Sequence, residues 1–266
     1  PVAIKPFHMD RKVHISDCQG LMRRLFKFML IFLIAVFILP VAGHAVVWLA
    51  KERPASWREA DWSASGVLPD PKRDDRPVIH VMAARTGGYK GIISVHSWLV
   101  IKKPGAKHYD RYDVVGWGRP VRHNAYPPDG RWYSNPPQVV HTVNGEQAAR
   151  AIPRLEAAIR NYRWADHGDY RIWPGPNSNT FVASMLAAVP DLAGRMPPTA
   201  VGRDFPADGN WIGRSPGGGW RMTLNGLAGV TVGAVEGLEL HFLGLVAGID
   251  VARPALLLPG FGRVGG

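Results

Sequence analysis

The sequence predicts an α+β domain, an antiparallel sheet with packed helices, carried behind one N-terminal transmembrane helix. Three observations lead there. From Phe28 to Ala50 the chain is apolar apart from Pro40, Gly43 and His44, a run long enough to cross a bilayer as a helix. Between Val78 and Val143, short β-favouring runs alternate with turns rich in Gly and Pro. Two later segments, near 145–162 and 177–189, carry helix-start signals followed by apolar residues.

Four parts follow from this pattern: a basic cytoplasmic tail over 1–27, the membrane helix over 28–50, a linker over 51–77 and an extracytoplasmic α+β domain over 78–266. Lys and Arg gather before the apolar run (Lys5, Arg11, Lys12, Arg23, Arg24), which sets the N-terminus in the cytoplasm and the domain across the membrane. In a Gram-negative bacterium this is a single-pass inner-membrane protein facing the periplasm. A cleaved signal peptide ending near Gly43-His-Ala45 is the competing reading, against which the run is long for an h-region and continues to Leu49. The linker mixes charges with Pro, and Trp48, Trp57 and Trp62 suit either the membrane interface or the base of the domain.

Charge narrows the functional classes. The chain carries a net +11. Nine Lys/Arg and three Asp/Glu lie in residues 1–58, leaving 23 basic and 18 acidic residues on the remainder. Those are scattered, so the domain is not read as binding nucleic acid. The single cysteine, Cys18, precedes the apolar run, so the domain has neither a disulfide nor a thiol nucleophile. His80, His123, His141, His167 and His241 fall into no metal-binding spacing, and no cofactor or metal is expected.

Within the domain, Val78–Ala84 reads as a strand and Gly91–Ile101 as a strand holding His96. Tyr109–Trp117 alternates as a half-buried antiparallel strand, 119–137 as a long loop and Gln138–Val143 as a short strand. A helix follows, with Asn144 and Gln147 spaced as a capping box and Pro153 expected to delay or kink it. The apolar, glycine-rich stretch after Leu224 is broken by Glu236, Glu239, His241 and Asp250, so it reads as short strands of a closing sheet and not as a second membrane helix.

The candidate site joins two distant segments. Trp173-Pro-Gly-Pro-Asn-Ser-Asn-Thr-Phe181 is a tight turn opening into a helix through Asn177, Ser178 and Asn179. A hydroxyl there meets unpaired backbone N–H groups and the positive end of the helix dipole. With His96 beside it as base, Ser178 becomes a candidate nucleophile for acyl transfer. Oxyanion donors are sought in the N–H groups of Ser178 or Asn179 and in the Asn177 amide, with Thr180 alongside. The group that orients His96 is sought among His108, Asp110 and Asp113, with Asp113 preferred because it lies on the neighbouring strand. Each residue also has a plain structural role open to it: Ser178, Asn177 and Asn179 as caps, His96 as a satisfied core histidine.

Asn177-Ser-Asn-Thr-Phe181 resembles the Asn-Cys-Asn-Thr-Phe signature of circularly permuted papain-like thiol peptidases, the PPPDE-type deubiquitinating and deSUMOylating group. It is similar more loosely to the Asn-Cys-Glu-His-Phe signature of lecithin:retinol acyltransferase-like enzymes. The resemblance implies a permuted papain-like fold with Ser178 at the nucleophile position and His96 as general base, in that chain order. The departure is Ser for Cys. A helix terminus lowers a thiol pKa enough to supply thiolate, whereas a serine needs its proton removed in concert by the base. Residues 77–262 also resemble a bacterial membrane-anchored family, domain of unknown function 3750, through His96-Ser-Trp98, Tyr112-Asp-Val-Val-Gly-Trp-Gly118 and the turn before Ser178.

The expected function is therefore a membrane-anchored serine hydrolase or acyltransferase acting on an amide or ester in the cell envelope, its substrate a peptidoglycan peptide or a lipid. The alternative is an inactive envelope protein that uses the same cleft to bind or scaffold. The sequence gives no sign of an oligomeric state.

Overall fold

The computed structural model describes residues 11–265. Helix α1 (Arg11–Leu33) runs through a wide π-turn, Ile34–Ile38, into α2 (Leu39–Leu49). The stretch Cys18–Leu49 spans 32 residues, its most apolar 18 with a mean hydropathy of 2.7, and at about 48 Å by the helical rise it is long enough to cross a membrane. The apolar run is thus the second half of a longer helix. Its start lies in residues expected as an irregular basic tail, of which 1–10 fall outside the described residues.

The first sheet contains β1 (Val78–Arg85), β2 (Val95–Lys102), β3 (Asp110–Val114), β4 (Val121–His123) and β5 (Gln138–Asn144), in the order β4-β3-β2-β1-β5 with every pair antiparallel. Side chains alternate across a strand, and in β1 and β2 both faces are buried. On one face Ile79, Val81, Leu99 and Ile101 pack against α3 (Gly145–Arg160) and α4 (Ser178–Ala188) through Ala151, Leu155, Phe181 and Leu186. On the other, Met82, Trp98 and Val100 meet Trp132. Trp62 covers that second face, its ring 5.0 Å from Trp132. The 51–77 segment is therefore folded onto the domain, and Trp62 belongs to its base. Trp48 likewise packs into the domain, donating from Nε1 to the Gly88 carbonyl.

Three local expectations are corrected. Asn144 makes no side-chain cap, and Gln147 donates instead to the Asp191 carbonyl. Helix α3 runs from Gly145 through Pro153 without a late start. The long loop over 119–137 contains the short strand β4.

Residues 212–264 form a second antiparallel sheet in simple up-and-down order: β6 (Ile212–Arg214), β7 (Trp220–Leu224), β8 (Ala228–Gly233), β9 (Gly237–Phe242), β10 (Leu245–Asp250), β11 (Ala255–Leu258) and β12 (Gly262–Val264). The pairing Leu224↔Ala228 leaves three residues in the β7–β8 turn, where Asn225 and Gly226 take φ of 51° and 74°, left-handed values that Asn and Gly adopt most readily.

Candidate functional site

Helix α4 is held by its first residues. Asn177 is the N-cap, its side-chain oxygen accepting from the N–H of Asn179 at 2.9 Å and of Thr180 at 3.1 Å. Thr180 Oγ1 accepts in return from the Asn177 N–H at 3.1 Å, which completes a capping box. The Asn177 amide donates to the carbonyls of Ile172 and Val201, the Asn179 amide to those of Val95 and Val201, and the Thr180 hydroxyl to that of Gly202. Gly202 is required here. A Cβ on it would lie 2.3 Å from Asn177 Nδ2, and its φ is +92°.

This network assigns the structural roles to Asn177, Asn179 and Thr180 and leaves Ser178 without one. Ser178 is the first helical residue and not the cap, so capping does not account for it. Asn177 engages the N–H groups of residues 179 and 180 and leaves that of Ser178 as the helix-start donor. The Asn179 N–H and the Asn177 amide, both considered as oxyanion donors, are engaged elsewhere.

The same network ties the start of α4 to β2. Strand β3 pairs with β2 only from Leu99 to Ile101. At the open start of β2, the Val95 N–H donates to the Thr199 carbonyl and the Val95 carbonyl accepts from Asn179 Nδ2. Backbone groups of a strand point within the plane of its sheet. The Asn179 side chain therefore reaches the edge of β2 next to the residue that precedes His96, where β3 no longer pairs, while the body of α4 packs on the Leu99 face and His96 lies on the opposite, Trp98 face.

His96 points to the face that holds Trp98, and its ring lies parallel to Trp132 with centroids 3.7 Å apart. Its Nε2 is 3.3 Å from Asp113 Oδ2, which also accepts from Arg111 Nη2 at 2.8 Å. Arg111 is fully buried, its guanidinium 4.1 Å above the Trp98 ring. Burial pushes the Asp113 carboxyl up, but the His96 hydrogen bond and the Arg111 charge outweigh it and hold Asp113 below the usual carboxylate range. Burial pushes His96 below the usual imidazole value despite Asp113. An ionised Asp113 can only accept, so neutral His96 carries its proton on Nε2 and presents a lone pair at Nδ1.

Of the candidate residues, the structure thus brings His96 and Asp113 into contact. Asp110 faces His108 and His123 at the far end of β3. Ser178 and His96 are each 3% exposed. Among the described residues no hydrogen bond joins Ser178 to His96. Arg111 and Trp132 escaped the sequence reading. The signal for Arg111 was the alternation in Asp110-Arg-Tyr-Asp-Val114, which puts positions 111 and 113 on one face. Trp132 arrives from a loop with no periodicity to place it. Among the described residues no group of three or more His, Cys, Asp or Glu side chains is placed to hold a metal ion.

Residues 76–205 match the family described as protein of unknown function (DUF3750). The match covers just under half of the chain. The match takes in the first sheet, both packed helices, His96, Asp113 and Ser178, and stops before the second sheet. No curated protein and no solved structure matches the chain.

Proposed function

We propose that this protein is a membrane-anchored serine-type hydrolase or acyltransferase of permuted papain-like architecture, acting on an amide or ester in the bacterial cell envelope. The observation that carries the reading is the His96–Asp113 pair: the carboxylate holds Nε2, and the free Nδ1 belongs to a strand whose preceding residue is tied to the start of α4. In the proposed step Ser178 Oγ attacks the carbonyl carbon while its proton passes to His96 Nδ1. The oxyanion meets the Ser178 N–H at the helix start, and the imidazolium formed is stabilised by Asp113. Collapse breaks the scissile bond as His96 returns the proton to the leaving group, and water or an acceptor alcohol or amine then takes the acyl group from Ser178. A helix reaching back to the inner membrane sets the domain at the periplasmic surface, where peptidoglycan peptides and lipid acyl chains are the available substrates. The test is labelling of the purified full chain with a fluorophosphonate probe. Labelling is expected for wild type and lost in Ser178→Ala, and equal labelling of the two ends the catalytic reading.

A second reading has its own support. Ser178 and His96 are both buried, with no hydrogen bond between them, and His96 is packed flat on Trp132. A protein that binds or scaffolds a peptide or lipid in the envelope would keep such a site closed. For that function the wild type stays unlabelled, and Ser178→Ala leaves ligand binding unchanged.

A further inference from the structure

The second sheet reverses the usual arrangement of a half-buried sheet. Cross-strand neighbours share a face, and the pairing Trp220↔Val232, Met222↔Val230, Val232↔Leu238 and Ile249↔Leu238 puts these residues on one side of β7–β10. That side faces outward: Met222 is 53% exposed, Leu238 46% and Ile249 51%. The inward side holds Arg221, Thr231, Glu239 and His241, all buried. Glu239 pairs with Arg203 at 2.6 Å. Charges are thus inside and hydrocarbon outside, the opposite of the hydrophobic-in, polar-out pattern of a solvated antiparallel sheet. Among the described strand residues, Arg214 is the one charged side chain on the outer side, and its guanidinium lies 4.3 Å over the Trp220 ring. Half-exposed Leu, Ile and Met side chains each forgo on the order of 1 kcal/mol of burial in water, so a contiguous face of them marks a surface meant to be covered.

The apolar helix identifies the cover. Phe242 continues the outer face of β9 past Leu238 and Leu240, and Phe37 of the π-turn packs on it with ring centroids 5.6 Å apart. Phe37 is only 2% exposed as a result. His44 of α2 meets Phe261 of the β11–β12 turn at 5.2 Å. Only 6% of the membrane-length window of this helix is buried, so its exposed flank and the outer face of the sheet form one continuous non-polar surface. Phe37 lies near the middle of the uncharged run Phe28–Ala50, well inside the span. Whatever solvent surrounds the helix there also meets the sheet beside it.

We propose that the outer face of β6–β12 is a second membrane-contacting surface, seated in the lipid of the leaflet on the domain side, with Trp220 and Arg214 at the headgroup level. The proposal rests on the helix being a membrane anchor and is independent of the chemistry at Ser178. An open sheet leaves unpaired strand edges that hydrocarbon does not tolerate, so the sheet lies along the leaflet and does not span it. Aromatic and basic side chains at the rim match the interfacial belt.

The test uses the full chain in liposomes of phosphatidylethanolamine and phosphatidylglycerol. Single cysteines (Met222→Cys, Leu240→Cys, Ile38→Cys and Arg150→Cys, each with Cys18→Ser) carry an NBD label. Emission at 222 and 240 is expected to be several-fold brighter than at 150, and to be quenched by lipids bearing doxyl groups. Dim, iodide-quenched labels at 222 and 240 beside a bright label at 38 overturn the proposal and leave the anchor standing. Bright labels that doxyl lipids leave unquenched mean a second copy covers the face, which also overturns it. A dim label at 38 removes the anchor and the proposal together.

Discussion

The two sheets of this chain solve the burial problem in opposite ways. The first, inside the family match, packs hydrocarbon on both sides of its central strands and holds the linked polar system Arg111–Asp113–His96 among its buried groups, sealed by Trp98 and Trp132. The second, outside the match, keeps Arg221, Glu239 and Asp250 on the inward face and turns its hydrocarbon outward. Domain burial explains the first sheet, whereas the second makes sense only beside the apolar helix that touches it. The contrast teaches that a strand's alternation fixes which side chains share a face, and the neighbouring solvent decides which face points out.

The sharpest way to break the contrast is to open the polar system of the first sheet. Arg111→Met leaves the Asp113 charge buried without its cation and is expected to lower unfolding stability by about 3–5 kcal/mol. A loss under about 1 kcal/mol, read from the denaturant midpoint, would show that Asp113 is not held as described. Next comes a paired truncation. Phe181 is fully buried against Tyr162, and Phe181→Ala is expected to cost about 3–5 kcal/mol. Leu240→Ala on the outer face, with the chain in detergent micelles, is expected to cost about 1 kcal/mol or less. Equal losses would mean that Leu240 is covered by protein.

The histidines of the two sheets are expected to respond to acid with opposite signs. Burial pushes His80 down to about 4, and burial also lowers His96. A histidine lowered on folding takes up its proton in the unfolded chain first, so its stabilisation is lost as pH falls from about 6.5 toward 4. Burial pushes His241 down, but the carboxylates of Asp204 and Glu239, 3.4 and 3.5 Å from its ring nitrogens, outweigh that and raise it. Its contribution is full below about 6.5 and is lost as pH rises through its folded value. Thermal melts from pH 4 to 8 check both: His80→Gln should flatten the acid limb, and His241→Gln the limb toward alkaline pH. The smallest contrast lies in the helix caps. Asn177→Ala is expected to cost about 2 kcal/mol, since the cap is buried and makes several hydrogen bonds, while Asn144→Ala should stay within about 0.5 kcal/mol because Asn144 caps nothing.

Much of this was legible from residue order. The strand at His96 and the helix at Ser178 announce themselves by β-favouring residues after Gly91 and by Pro174, Pro176 and Asn177 before the helix. Asp113 beside His96 followed from adjacency of strands. The roles within Asn177-Ser-Asn-Thr180 were not legible, because all four residues can cap and only the contacts with Ile172, Val95, Val201 and Gly202 show which ones do. The Asn144–Gln147 spacing pointed to a cap that tertiary packing overrode, with Asp191 drawing Gln147 away. The outward hydrocarbon of the second sheet was hidden for a different reason. Alternation reads the same whichever side faces the solvent.

The rate of phosphonylation at Ser178 as a function of pH tests the account most directly, with the modified peptide identified by mass spectrometry. The expected result is one adduct on Ser178, a rate that rises with pH through a value below 6.5 as His96 loses its proton, and no adduct in His96→Gln. A rate that climbs only in alkaline solution, or one that survives His96→Gln, would contradict the pairing of this serine with this histidine.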